Sequence, residues 1–200
     1  MVTVLRDFEK RKQLWDLRDN RGPRNGHDLR DSLPYPFETV GIQMIFDDKD
    51  VLEIGPGNGR QYERVKDRCK TCSILDLSPA VLKEPVFSKS TGKYLLEDWD
   101  QSLGRLFDVV HFWYVLHHIR QDELRSFFDL IARHLRHGGL VCFNSPQPIN
   151  VQGLPEGDGI GTTWTDPYIV QVALPSDLEM IMALNVDKNS TGFVFMLRKI

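Results

Sequence analysis

The chain has 200 residues, 41% of them hydrophobic, which predicts one globular domain, residues 1–200, with a single sizeable core. Its net charge of -3 lacks the excess of Lys and Arg typical of nucleic-acid-binding proteins, so we expect no duplex nucleic acid partner. The N-terminus is too charged for a signal peptide, no apolar run is long enough for a membrane span, and the cysteine spacing forms neither a disulfide framework nor a zinc site. These features predict a cytoplasmic protein.

The first 45 residues are predicted to form a helical cap segment. Charges of both signs are dense between Arg6 and Asp31, and sparse apolar residues lie among them, which is typical of a helix that packs one narrow face. The stretch around Pro23 is predicted to end this helix.

From Val51 onward, short apolar runs alternate with longer helical patterns. This alternation predicts a parallel sheet with helices on its faces, and continuous apolar runs are typical of strands buried on both sides. The predicted strands of this core, residues 50–144, are 50–54, 71–75, 93–96, 107–113 and 140–144.

One helix is predicted between the fourth and fifth strands. Apolar residues at helical spacing run from Leu124 to Leu135, and the pair Gly138-Gly139 is predicted to stop the helix. The helix would then be the crossover that joins two parallel strands.

The segment after the fifth strand, residues 145–165, is rich in Gly and Pro and predicts a long loop. We expect this loop, with Trp164 near its end, to close over a substrate. Residues 166–200 are predicted to hold a short helix after Pro167 and then two strands, 178–186 and 192–199.

The first predicted strand leads into a glycine-rich turn, residues 53–59 (EIGPGNG), and a helix follows it. Glycines at such a turn let the backbone approach a ligand and leave helix-terminal N–H groups available. Asp76 ends the next strand, where a carboxylate can accept hydrogen bonds from the two hydroxyls of a ribose. Arg60 stands where a dinucleotide fingerprint has its third glycine, so the pattern favours a nucleoside-bearing cofactor without a pyrophosphate.

Five segments in chain order resemble the motifs of class I S-adenosylmethionine-dependent methyltransferases. The resemblance is greatest to the small-molecule branch (methyltransferase type 11), which includes the ubiquinone and menaquinone biosynthesis enzymes. It implies an α/β, Rossmann-like, doubly wound fold, with a mostly parallel seven-stranded sheet and an antiparallel C-terminal strand. The matching segments are 51–59 (VLEIGPGNG), 75–79 (LDLSP), 97–99 (EDW), 107–119 (FDVV through LHHI) and 135–139 (LRHGG).

The resemblance also implies a set of cofactor-binding residues. Glu53 and the backbone of the turn would hold the methionine end of S-adenosylmethionine, and Asp76 would hold the ribose. Asp98 and Trp99 would contact the adenine, for which Leu77 offers an apolar wall. The sequence departs from the family at Arg136-His137, in place of Lys-Pro, and at the bulky run Phe112-Trp113-Tyr114, where the family often has small residues. The implied cofactor residues are Glu53, Gly55, Gly57, Gly59, Asp76, Leu77, Asp98, Trp99 and Phe112.

Simpler interpretations of these residues stay open. Asp76 could only cap the helix that follows it, and Asp98 could only cap the loop toward Asp100. His117 and His118 are weak candidates for a general base, and they lack a third spaced ligand for a metal, so we expect no metal site.

The predicted function is direct in-line transfer of a methyl group to a small-molecule acceptor. The alternatives are a methyltransferase acting on protein or RNA, and a nucleoside-binding module without transferase activity.

Overall fold

The structure is a computed structural model that describes residues 43–145, 167–185 and 192–200. Most of the predicted cap segment and of the predicted substrate loop, with Trp164, therefore lies outside the described residues. No helix in the described ranges is both long and apolar enough to cross a membrane. The helices are α1 (Arg60–Val65), α2 (Pro79–Leu82), α3 (Leu124–His134) and α4 (Pro167–Ala173).

The strands of the described residues form one seven-stranded sheet in the order β3-β2-β1-β4-β5-β7-β6. The first five pair in parallel, and β7 lies antiparallel between β5 and β6. This topology confirms the predicted Rossmann-like fold with an antiparallel C-terminal strand. The strands are β1 (Asp50–Ile54), β2 (Thr71–Asp76), β3 (Gly92–Leu95), β4 (Phe107–Phe112), β5 (Leu135–Ser145), β6 (Leu178–Asn185) and β7 (Phe193–Lys199).

Apolar side chains cover both faces of the sheet, because successive residues of a strand point to opposite faces. Leu52 and Val110 point to the face covered by α3 and α4, where the largest core cluster lies. Val51 and Val109 point to the opposite face, where Phe46 packs. The central strands β1 and β4 are therefore buried on both faces, as their apolar runs predict.

The predicted end of the crossover helix is wrong. The helix α3 ends at His134, and Leu135 already has extended backbone angles and pairs with Phe107 of β4. The pairing then resumes between Val109 and Leu140, so residues 136–139 bulge out of the ladder. Gly138, with φ of 76°, serves this bulge and does not cap the helix.

An ionic cluster closes the amino end of β1. The Asp50 carboxylate accepts hydrogen bonds from Thr71 Oγ1 at 2.8 Å, from Arg105 Nη2 at 3.0 Å and from Arg136 Nη2 at 3.0 Å. Burial would raise the pKa of Asp50, but the hydrogen bonds from Thr71 and Arg136 and the charge of Arg105 lower it below its usual value. These contacts connect the amino end of β1 to β2, to the segment before β4 and to β5.

Candidate cofactor-binding site

The turn between β1 and α1 is shaped by three glycines with left-handed backbone angles. Their φ values are 65° at Gly55, 53° at Gly57 and 80° at Gly59. A Cβ at Gly55 would lie 2.6 Å from Val115 Cγ2, and one at Gly59 would lie 2.8 Å from Val86, whereas one at Gly57 would meet nothing within 4 Å. Gly55 and Gly59 thus let the turn pack closely, and exposed Gly57 leaves an open backbone surface for a ligand.

This turn lies beside the carboxyl end of β2. Ile54 pairs with Leu75, and the Gly55 N–H donates to the Leu75 carbonyl at 2.8 Å, so Asp76 is next to the start of the turn. The Asp76 carboxylate is half-buried and accepts a hydrogen bond from Ser78 N at 2.8 Å. The cap of α2 is Ser78 itself. Asp76 therefore braces the loop before α2 while it lies beside the glycine turn.

Glu53 is the most perturbed carboxylate of this region. It is 2% exposed, and its Oε2 atom has no hydrogen-bond partner among the described residues. Burial, and then the negative charge of Asp76, raise the pKa of Glu53 to about 8. A buried carboxyl group in this position is suited to a cationic group, because a positive charge would offset both causes of the shift.

The residues predicted to contact adenine follow two neighbouring strands. Leu77 comes directly after β2, and Asp98 and Trp99 come after β3, whose last residue Leu95 pairs with Asp76. Leu77 is partly buried against the main core. Asp98 is exposed, and its Oδ1 accepts from Asp100 N at 2.8 Å, as in the simpler interpretation of this residue. The Trp99 indole donates to Glu123 Oε1 at 3.4 Å and packs edge-on against Phe127, so its ring joins the loop to α3.

The carboxyl end of β4 borders the turn on the other side of β1. Phe112 is fully buried and stacks on Phe143 with ring centroids 4.6 Å apart, so it reaches the site only through its backbone or its neighbours. His117 and His118 lie in the 3-10 turn Leu116–His118, and the His118 side chain is half-buried. No group of three or more potential metal-ligating side chains is placed together in the described ranges.

Two buried polar residues near this site are not among the predicted site residues. His111 of β4 is 0% exposed and accepts a hydrogen bond at Nδ1 from Trp113 Nε1 at 3.0 Å. Asn144 of β5 accepts at Oδ1 from Tyr114 N at 2.7 Å, and Tyr114 has a left-handed φ of 59°. The signal that could have found them is a polar residue beside a short apolar run, as in 109–112 (VVHF) and 140–144 (LVCFN).

The turn and the sheet define an α/β protein whose candidate site lies at the carboxyl ends of β1 and β2, beside the boundary between β1 and β4 where the strand order reverses. The sequence profile of the methyltransferase domain family matches residues 18–156. The chain therefore belongs to the methyltransferase domain family. Its membership confirms the predicted S-adenosylmethionine-dependent methyltransferase class and the predicted cofactor. No curated protein sequence matches the chain.

Solved structures share the fold at low identity. The N-methyltransferase NodS from Bradyrhizobium japonicum WM9, in complex with S-adenosyl-L-homocysteine, has a TM-score of 0.67 and 18% identity over 94% of this chain and 97% of that one. The magnesium protoporphyrin IX methyltransferase ChlM from Synechocystis PCC 6803 has a TM-score of 0.68 and 12% identity over 97% and 100%. The amino pentose methyltransferase CalS10 from Micromonospora echinaspora has a TM-score of 0.65 and 15% identity over 85% and 93%.

Proposed function

We propose that this chain transfers a methyl group from S-adenosylmethionine, bound between the glycine turn and Asp76, to a small-molecule acceptor. The observation that carries the proposal is the pairing of an open glycine backbone with a buried, unpartnered carboxyl group. Gly57 presents a surface that a Cβ would cover, and Glu53 Oε2 lies buried with no hydrogen-bond partner in the described part of the chain. The residues present therefore fit a ligand with a cationic end.

Each element beside the turn has a proposed role. The Glu53 carboxylate would bind the ammonium of the methionine moiety, directly or through water. The Asp76 carboxylate would accept hydrogen bonds from the ribose hydroxyls, and Leu77 would form part of the adenine wall. Asp98 stays a candidate for the adenine amino group, and Trp99 would place the loop that carries it.

The bound cofactor would supply a methyl group already activated by its sulfonium. The chain then has to align the acceptor in line with the departing sulfur and exclude water. His117 and His118, after β4, are the candidates to take a proton from an acceptor hydroxyl or amine. Trp164 and the predicted loop 145–165 are proposed to close over the acceptor, and the cap segment to complete the pocket.

A small molecule is the proposed acceptor for two reasons. The three similar structures are named for an N-methyltransferase, a magnesium protoporphyrin IX methyltransferase and an amino pentose methyltransferase, the last two of which act on small molecules. The net charge of -3 also gives no general attraction to nucleic acid. A single domain and a cytoplasmic location belong to the same proposal.

The test of the acceptor class measures S-adenosylhomocysteine release with panels of amines, phenols and carboxylic acids, and with protein and RNA fractions. Turnover with a small molecule is expected. Turnover confined to the protein or RNA arm would overturn the acceptor class, and tight cofactor binding without turnover on any arm would favour a binding module.

The test of the cofactor site is Asp76→Ala. Loss of two charge-assisted hydrogen bonds should weaken S-adenosylhomocysteine binding by about 2–4 kcal/mol, measured by calorimetry. Asp177→Ala is the matched control, since it removes a partly exposed carboxylate just before β6, at the edge of the sheet away from β1 and β2. Unchanged affinity in Asp76→Ala would remove Asp76 from the site.

A further inference from the structure

Glu53 and His111 are neighbours across two strands. The two residues are register partners in the parallel pair of β1 and β4, so their Cα atoms lie about 4.8 Å apart, and they point to the same face as Val51 and Val109. Glu53 is 2% exposed and His111 is 0% exposed. Each has one buried atom without a hydrogen-bond partner among the described residues, Oε2 in Glu53 and Nε2 in His111.

The contacts of His111 determine which of its nitrogens carries the proton. An indole N–H can only donate, so the bond from Trp113 Nε1 requires a lone pair on His111 Nδ1. The neutral ring then carries its proton on Nε2. Burial lowers the pKa of His111 to about 3, and the edge-to-face contact with Phe46 covers the ring. His111 is therefore a fixed neutral donor at physiological pH and not a base.

A buried donor without a partner thus lies beside a buried acceptor without a partner. We propose that His111 is a positioning residue of the cofactor site, whose Nε2–H donates to the ionised Glu53 carboxylate, directly or through one water, and so favours the form that binds an ammonium. The inference rests on the proposed function, since it needs a cofactor with a cationic amino-acid end. It satisfies both buried atoms with one hydrogen bond.

The other titratable groups that interact with Glu53 lie on β2 and α1. Asp76 opposes ionisation of Glu53 through its negative charge. A hydrogen bond with Cys69, and then burial, raise the pKa of Cys72, and burial raises the pKa of Tyr62 to about 12, so the thiol and the phenol stay neutral. The buried Tyr62 hydroxyl also has no partner in the described ranges, which makes Tyr62 the rival donor and Tyr62→Phe the matched control.

The test measures the dissociation constant of S-adenosylhomocysteine between pH 6 and about 9.5, a range that contains the midpoint expected for each variant. Below the pH at which half of Glu53 is ionised, which we call the midpoint, wild-type affinity should rise about tenfold per pH unit. Above the midpoint it should level off. His111→Phe should move the midpoint up by about one unit and weaken binding at pH 7 about tenfold. His111→Gln keeps an N–H donor and should stay near wild type, as should Tyr62→Phe, while Glu53→Gln should bind independently of pH.

A second ligand separates this effect from general damage. The nucleoside 5′-methylthioadenosine lacks the amino-acid end, so its affinity should not depend on pH and should be the same in wild type and His111→Phe. Trp113→Phe removes the group that fixes the tautomer, and it should move the S-adenosylhomocysteine midpoint in the same direction. This variant keeps the proposal open to test if His111→Phe does not fold in a thermal melt.

The possible failures are distinguishable. If wild type does not bind S-adenosylhomocysteine at any pH, the proposed function fails. If wild type binds and Glu53→Gln removes the pH dependence, while His111→Phe or Trp113→Phe keeps the wild-type midpoint, the role of His111 is wrong and the proposed function stands. A midpoint that moves in Tyr62→Phe but not in His111→Phe would assign the donor to Tyr62.

Discussion

Glu53→Gln is expected to remove a pH-dependent contribution from the free energy of unfolding. The pKa of Glu53 is about 8 in the folded chain against an ordinary value of 4.5. Between these values the folded chain binds a proton that the unfolded chain does not, so the free energy of unfolding falls as pH rises, by about 1.4 kcal/mol per pH unit. This contribution of Glu53 to the free energy of unfolding is fully present below pH 4.5 and is lost by pH 8.

His111 contributes with the opposite sign in a lower range. Its pKa is about 3 when folded against an ordinary value of 6.5, so the unfolded chain binds the extra proton and stability rises with pH between these values. The two slopes cancel between pH 4.5 and 6.5, where both apply. From pH 6.5 to 8 only the Glu53 contribution remains, and it amounts to about 2 kcal/mol.

The measurement is urea unfolding followed by circular dichroism, at half-unit steps from pH 6 to 8.5 without cofactor. Histidines titrate in the same pH range and contribute equally to wild type and to Glu53→Gln. The difference between the two free energies of unfolding therefore isolates the Glu53 contribution. That difference should change by about 2 kcal/mol between pH 6.5 and 8. Asp76→Asn removes the neighbouring negative charge, so in that variant the change should end at a lower pH. Parallel profiles for wild type and Glu53→Gln would refute the reasoning.

The remaining predictions concern the glycine turn, the ionic cluster and a strained residue. Gly57→Ala should lower the free energy of unfolding by about 1–2 kcal/mol in a thermal melt and should impair cofactor binding. Gly55→Ala should lower it by about 2–5 kcal/mol, because its Cβ would also meet Val115. Equal losses in the two variants would contradict this difference. Asp50→Asn should lower the free energy of unfolding in urea by about 2–4 kcal/mol, and it should not change cofactor affinity where both proteins are folded. An unchanged free energy of unfolding would show that the ionic cluster does not stabilise the fold. Tyr114→Gly should stabilise the chain by up to about 1 kcal/mol by relieving its left-handed backbone, and a large loss would show that side-chain packing dominates.

Local sequence patterns predict much of the sheet. The strands β1 and β2 hold adjacent apolar residues, Val51-Leu52 and Ile74-Leu75, which fits strands with a core on both faces. The turn after β1 has glycine where the backbone needs left-handed angles. These features depend on neighbouring residues only. They therefore place the candidate cofactor turn correctly between a strand and a helix.

The end of α3 could not be predicted in the same way. Gly138-Gly139 resembles a helix stop, and Leu135 continues the helical spacing of the apolar residues. In the structure the helix ends one residue before Leu135, because Leu135 pairs with Phe107 on a strand distant in sequence. Tertiary pairing therefore overrides the local signal. The proximity of His111 to Glu53 is likewise a matter of strand register, which no local pattern gives.

The two buried carboxylates on β1 differ in their partners, and this difference supports a ligand-binding role for Glu53. Asp50, at the amino end, bonds to Thr71 and two arginines, so its charge stabilises the fold. Glu53, at the carboxyl end of the same strand, is similarly buried, yet its Oε2 lacks a partner in the described part of the chain and its nearest charged influence is the like charge of Asp76. An apolar residue would be more stable there, so the arrangement is explained if a cationic ligand binds to it.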